Sequence, residues 1–337
     1  MKICLLLAGD EEGGLEQHFV ELSNGLSKHH DVIVIAHQKY QSRFLEKVTV
    51  ESLDLSKSRM NPRTLWSIWR LINHHQPDIV HAHANKAASM LANIRFFIKA
   101  KRIATIHNQK KNVQMFEKMD LVIGVSKSVL KNIKNKASTV IYNGVDKKKL
   151  LVGNQTPAIN FQSFASKPIV ISVGRLVPAK GMDVLIQAWK NIDAHLLILG
   201  DGPENDHLKK LTASLGLNET IHFLGFRKDV GAILKKADLV VIGSRKEGFS
   251  YVCAEALLTE TVVISTDVPV ANEILPKKYI VDIENIEQLH GLVKSSLSQM
   301  TSVIEDFKPI FNIAENEFTF ESMLSKTMAA YKNCLEQ

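Results

Sequence analysis

The sequence predicts an α/β chain of two parallel-sheet domains, and three observations predict it. Its 337 residues are twice the length of an ordinary domain. Apolar runs of four to seven residues recur between segments of helical period, as strands buried on both faces of a parallel sheet read. These runs form two series of matching spacing, with a polar stretch between them.

The first series gives candidate strands KICLLL from Lys2, DVIVIAH from Asp31, DIVHAH from Asp78, RIATIH from Arg102, LVIGVS from Leu121 and STVIYNG from Ser138. The second gives PIVISVGR from Pro168, HLLILGDG from His195, TIHFLGF from Thr220, LVVIGS from Leu239 and VVISTD from Val262. Helical patterns lie between most of them. Residues 151–167 are small, polar and aperiodic, and are the expected linker. The domains are then 1–160 and 161–317, with a helical pattern over 318–335 that can return to the first domain. In open parallel sheets ligands bind beyond the carboxyl ends of the strands. Two such domains facing each other would share one cleft.

Composition excludes several classes. A chain 45% hydrophobic and 23% charged is neither disordered nor a disulfide-dense secreted fold. Cys4, Cys253 and Cys334 are too far apart for a metal or disulfide spacing, which fits a reducing cytoplasm. MKICLLL reads as a first strand, being too short for a secretory leader. No run approaches the length of a membrane span. Charge is uneven: residues 1–160 carry 24 Lys and Arg against 13 Asp and Glu, whereas residues 161–337 carry 18 against 22. The basic half suits an anionic partner such as a phosphorylated acceptor, an anionic membrane surface or nucleic acid. No aromatic-and-basic stacking run supports nucleic acid.

Four motifs follow strands. Gly174 to Gly181 places Arg175 and Lys180 where they could neutralise a diphosphate leaving group without metal, Arg through paired N–H bonds and Lys as a mobile charge. Glu247 to Glu255 sets one carboxylate in a loop and one about two turns into a helix. Gly248 and the amides of Phe249, Ser250 and Tyr251 lie near that helix's start, suited to phosphate or sugar oxygens. Either Glu could accept bonds from a ribose or hexose diol. Gly13-Gly14 opens the first helix and permits close approach to a phosphate or sugar. No G-x-G-x-x-G occurs, and Gly200-Asp201-Gly202-Pro203 does not complete one, which disfavours hydride transfer. His81 and His83 end one strand and His107 the next, at positions expected to face the cleft. No third metal ligand has evident spacing, so no metal is expected, and His107 is the better catalytic candidate.

Together these residues resemble the family-4 retaining glycosyltransferases of the GT-B fold, over nearly the whole chain. The shared elements are Gly13-Gly14, Thr105 and His107, Asn143-Gly144-Val145-Asp146, Gly174 to Gly181, Gly200 to Pro203, and Glu247 with Glu255. The resemblance implies two facing Rossmann-like domains, the first on the acceptor side and the second binding the donor. It implies Arg175, Lys180 and Gly174 at the donor diphosphate, with Gly13 and Gly14 near the phosphate from the opposite domain. Glu255 falls on the ribose, and Glu247 with the amides of Phe249, Ser250 and Tyr251 on the donor sugar. His107 falls at the reaction centre, and Phe226 beside the base through backbone groups of its segment. It further implies front-face transfer with retention, the leaving phosphate helping to take the acceptor proton, and no metal or other cofactor. The chain departs from the family at Thr259-Glu260-Thr261-Val262 and at Asp267 to Glu273, where glycines are usual.

The function expected is transfer of a sugar from a nucleotide-sugar donor, a UDP-sugar, to a glycan or lipid-linked acceptor in lipopolysaccharide or capsule assembly. It is expected in the cytoplasm, peripheral on the inner membrane. Arg95 to Arg102, with nearby Lys110 and Lys111, mixes aromatic and basic residues and could dock on an anionic bilayer. Alternatively Phe96, Phe97 and Ile98 are core. The alternative functions are a nucleotide-sugar epimerase or phosphorylase of the same fold, or a catalytically silent partner subunit.

Overall fold

A computed structural model of the protein describes residues 1–10, 13–109, 111–134, 137–152, 159–164 and 166–337. Lys110, and residues 153–158 and 165 of the expected linker, lie outside the described residues. The chain divides into two units, 1–144 with 321–337, and 145–320.

The first unit holds β1 (Lys2–Leu7), β2 (Asp31–Ala36), β3 (Val48–Ser52), β4 (Ile79–His83), β5 (Lys101–Ile106), β6 (Leu121–Gly124) and β7 (Ser138–Val140). They pair in parallel in the order β3-β2-β1-β4-β5-β6-β7. Its helices are α1 (Gly14–Leu26), α2 (Pro62–His75), α3 (Ala84–Ile94) and α4 (Lys127–Leu130). β1, β2 and β4 are almost wholly buried, which is why β1 and β2 read as apolar runs and β4 as one broken only by His81 and His83. Asn61 starts α2 by accepting the Thr64 amide, with Pro62 in the first turn. The edge strand β3, VTVES, is too polar on one side to stand out by composition, and the sequence reading passes over it.

The second unit repeats the scheme with α5 (Lys147–Val152), β8 (Ile169–Val173), α6 (Met182–Ala188), β9 (His195–Leu199), α7 (Asn205–Ser214), β10 (Ile221–Gly225), α8 (Val230–Leu234), β11 (Leu239–Ile242), α9 (Tyr251–Leu258), β12 (Val263–Thr266), α10 (Ala271–Ile274) and β13 (Ile280–Val281). Its parallel order is β10-β9-β8-β11-β12-β13. In each sheet the order reverses beside the first strand, between β1 and β4 and between β8 and β11. Loops leaving neighbouring strand ends there diverge to opposite faces and open a crevice. β13, with two residues, escapes sequence reading, as does α12 (Met300–Glu317), which follows α11 (Ile286–Ser298) and contains Pro309. Pro309 reads as a breaker, yet its buried neighbours Phe307 and Ile310 anchor the helix around it.

The division falls at 144/145, ahead of the expected linker. Val145 donates to Phe318 O at 2.8 Å and accepts from Phe320 N at 3.0 Å, so the second unit claims it. The last helix, α13 (Phe320–Glu336), belongs to the first unit from Glu321 on. Its anchor is Tyr331, fully buried, with Oη 2.6 Å from Nδ1 of His81 on β4. Removing one partner of a buried pair costs about 1–3 kcal/mol. Tyr331→Phe should therefore lower unfolding free energy by that amount in urea titration, whereas Lys332→Ala, at an exposed neighbour, should not. Unchanged stability of Tyr331→Phe would remove the tether.

Candidate active site

In the second unit, the loops leaving β8 and β11 at the crevice touch backbone to backbone. Gly181 has φ +61°, and a Cβ on it would stand 2.0 Å from the carbonyl oxygen of Gly243, so only glycine fits. That contact seats Lys180 Nζ 2.6 Å from Glu247 Oε1, to which Ser244 Oγ also donates at 2.8 Å. Arg245 fastens the two loops further. It donates to both carboxylate oxygens of Asp183 at 2.8 and 2.7 Å, to Glu284 at 2.6 Å and to Pro178 O at 2.7 Å. Sequence reading misses Arg245, Ser244 and Asp183, though Arg245 sits just after a strand like the residues it does find. Asp183 is held below the usual carboxylate range by the Arg245 bonds.

The expected pair of free cations is thus modified. Lys180 is neutralised by Glu247, while Arg175 is exposed and makes no ion pair among the described residues. Arg175 lines a cavity of about 360 Å³ at the ends of β8, β9 and β10, with Gly174, Asp201, Phe226 and Arg227. The Phe226 ring is 73% exposed at this cavity, so its side chain and not only its backbone is on offer. Gly200, with φ +138°, passes so close to Gly174 that a Cβ would stand 1.9 Å from the Gly174 carbonyl oxygen. Arg227 is bound in both arms by Asp229, at 2.8 and 2.6 Å.

α9 begins at Tyr251 with Ser250 buried ahead of it, later than expected, so Glu255 is the fifth helical residue and little more than one turn in. The Phe249 side chain is buried, with ring centroids 5.0 Å from Tyr251 and 5.9 Å from Phe318. Its ring is therefore packed away from any ligand. Burial, with Glu247 nearby, pushes the Cys253 thiol up to about 12, which disqualifies it as a nucleophile. In the segment that departs from the family, Val270 stands at φ +74°, ψ −58°, a strained conformation for a β-branched residue.

In the first unit the corresponding crevice holds histidines. Gly13 is extended and precedes α1. Glu16, which sequence reading misses, is buried in the first turn, its Oε2 3.3 Å from where a Gly13 Cβ would lie. One turn from Gly14, His18 meets His83 and His107, all three buried. Their ring nitrogens lie within 4.8 Å of one another, the one group among the described residues with the closeness to hold a metal ion. His18 is the third ligand position that sequence spacing hid, since it comes from a helix rather than a neighbouring strand. His83 Nδ1 lies 3.4 Å from His107 Nε2. His18 Nδ1 and His83 Nε2 are buried without partners. His81, expected to face the cleft, is instead taken up by Thr105 Oγ1 at 2.7 Å and Tyr331 Oη.

Burial holds these imidazoles neutral. His18 is lowered to about 4 and His81 to about 3, chiefly by desolvation, and His83 and His107 lie well below the ordinary range, with neighbouring histidines adding repulsion. His107 is therefore a neutral hydrogen-bonding group rather than a cation. Because folding lowers these values, the stability they contribute is complete above pH 6.5 and is lost as pH falls through the folded values. Each histidine then costs about 1.4 kcal/mol per pH unit. His18→Asn should flatten the decline of unfolding free energy below pH 6.5 by about that slope. A slope unaltered by the substitution would show that His18 is not buried and neutral.

Two family models divide the chain between them: "Glycosyltransferase Family 4" matches residues 12–149 and "Glycosyl transferases group 1" residues 157–303. The lipopolysaccharide core biosynthesis glycosyltransferase LpsE of Rhizobium meliloti is 26% identical over 76% of this chain and 76% of its own. The O-antigen biosynthesis glycosyltransferase WclY of Escherichia coli is 22% identical over 100% of this chain and 99% of its own. Among solved structures, Anabaena HepE in complex with UDP and glucose has a TM-score of 0.80 at 19% identity, covering 98% of this chain and 99% of that one. A glycosyltransferase of Rickettsia africae reaches 0.85 at 21% identity, covering 100% and 99%. These likenesses establish the GT-B fold of two Rossmann-like parallel-sheet domains. Matched in both halves, the chain belongs to the family-4 glycosyltransferases.

Proposed function

We propose that the protein is a retaining hexosyltransferase that moves a sugar from a UDP-sugar to a glycan or lipid-linked acceptor in lipopolysaccharide or capsule assembly. The observation that carries this reading is the Lys180–Glu247 pair held at the crevice of the second sheet, with Arg175 nearby on the cavity wall. Departure of a nucleoside diphosphate develops negative charge, and preorganised cations and amides meet it without reorganisation. Arg175 and Lys180 take the diphosphate, with Gly174 and, from the first domain, Gly13 and Gly14 allowing close approach. As Lys180 turns to phosphate, Glu247 is released to accept from donor-sugar hydroxyls beside the amides of Phe249, Ser250 and Tyr251. Glu255 accepts from the ribose, and the exposed Phe226 ring covers the base. Neutral His107 hydrogen-bonds at the reaction centre, where the acceptor hydroxyl attacks from the leaving-group side and passes its proton to the departing phosphate. Solved neighbours holding UDP or UDP-glucose, and relatives named for lipopolysaccharide core and O-antigen synthesis, support the choice of donor and pathway.

The same reading makes transfer independent of divalent metal, with cations doing a metal's electrostatic work. Activity should persist in EDTA. Arg175→Ala and Lys180→Ala should each cost about 2–4 kcal/mol in transition-state stabilisation, less than additively when combined. Glu255→Gln should weaken donor binding about ten- to a hundredfold, and Glu247→Gln should mainly lower turnover. A donor screen following release of free UDP, with the product anomer read by NMR, tests donor and stereochemistry together. Activity lost in EDTA and restored by zinc would point instead to the triad of His18, His83 and His107. Donor consumption without acceptor would favour an epimerase or phosphorylase.

A further inference from the structure

The first unit exposes large apolar side chains on adjoining elements. Met60 is 65% exposed, Trp66 on α2 55%, and Phe96 and Phe97, in the turn after α3, 78% and 68%. Hydrogen bonds join these elements into one surface. Asn93 Nδ2 reaches Arg59 O and Met60 Sδ at 3.2 and 3.1 Å, while Trp69 Nε1 and Asn73 Nδ2 reach Phe97 O at 3.1 and 3.4 Å. Trp69 and Phe97 also line a shallow groove shared with Lys99.

The charge around the patch is mostly basic, with Asp54 beside Lys57 and Glu51 paired to His75 at its margin. Between Leu55 and Phe116 the sequence carries eleven Lys and Arg and a single acid, Asp78, whose carboxylate accepts the Lys2 amide. Lys57, Arg59, Arg63, Arg70 and Lys99 are exposed. Arg70 lies 5.4 Å from the Trp66 ring and Arg95 3.9 Å from the Phe96 ring, so guanidinium and aromatic groups are presented as pairs. Arg63, Trp66 and Arg70, at helical spacings of three and four, share one face of α2. Of the expected aromatic-and-basic segment, Ile98 is buried and both phenylalanines are outside.

Aromatic rings among basic side chains are the chemistry of the bilayer interface. Rings partition to headgroup level while Lys and Arg meet anionic phosphates, each contributing about fivefold in partitioning near the surface. A second copy of this chain is disfavoured as occupant, because a two-fold contact would set the basic patch against itself. No helix among the described residues is long and apolar enough to cross a membrane. We propose that this surface, centred on Met60, Trp66, Phe96 and Phe97, docks the protein reversibly on an anionic phospholipid bilayer. The surface lies beyond the sugar-transfer reading, since bilayer binding needs neither donor nor acceptor.

Co-sedimentation with vesicles of equal parts phosphatidylglycerol and phosphatidylcholine tests this on the whole chain. Binding should be strong at low salt, fall steeply with added salt, and be absent with phosphatidylcholine alone. Trp66→Ser with Phe96→Ser and Phe97→Ser should reduce it at least about tenfold, and Arg63→Glu with Arg70→Glu by a similar factor. Unaltered thermal unfolding and UDP release to a soluble acceptor would show these variants folded and active. A blue shift of emission on vesicle binding, lost in Trp66→Phe, would place Trp66 in the interface. Absence of binding to anionic vesicles, binding equal in the variants, or binding of oligonucleotides but not vesicles would overturn the proposal.

Discussion

The backbone contact between Gly181 and Gly243 is the constraint on which the donor side depends. A methyl group on Gly181 would overlap the Gly243 carbonyl oxygen, so the two loops meet only because position 181 carries no side chain. Their meeting puts a cation from one loop on a carboxylate from the other, and Arg245, from the loop after β11, locks the arrangement by bonds to Pro178 O and Asp183 on the other side. Strand order explains why it happens where it does: β8 and β11 are neighbours in the sheet though far apart in sequence. An anion arriving there meets Arg175 on the cavity wall and finds Lys180 held on Glu247, from which it has only to turn.

The first unit solves a different problem with the same topology. Its crevice is lined by imidazoles that burial keeps neutral, with repulsion between neighbours adding to the effect. Such a layer offers hydrogen bonds without fixed charge. Each unit's own crevice takes its character from the residues at its strand ends: neutral where β4 and β5 end, charged where β8 and β11 end. His81 shows that the same strand also serves stability, its ring turned to Thr105 and Tyr331.

Much of this was legible in the sequence, for physical reasons that also explain the rest. Strands buried on both faces announce themselves as apolar runs, so every central strand was found, while the polar edge β3 and the two-residue β13 were not. Loop residues such as Arg175, Lys180 and Glu247 could be placed after strands, because parallel sheets put function there. What spacing could not reveal was pairing across the sheet. Nothing in sequence says that Lys180 rests on Glu247, that Arg245 binds Asp183, or that His18 turns from its helix toward His83. The Phe249 ring was legible as apolar but not as core, and Phe96 and Phe97 as aromatic but not as exposed.

The central claim is that Lys180 exchanges Glu247 for donor phosphate. Free Glu247 competes with a bare diphosphate for the same ammonium, so removing its charge should help UDP even as it harms sugar transfer. The direct measurement is calorimetric titration of UDP into wild type and Glu247→Gln. Tighter UDP binding by the variant, about three- to tenfold, is what the exchange predicts. Equal or weaker binding would contradict it, leaving the Lys180–Glu247 pair as a structural fixture rather than the donor's waiting partner.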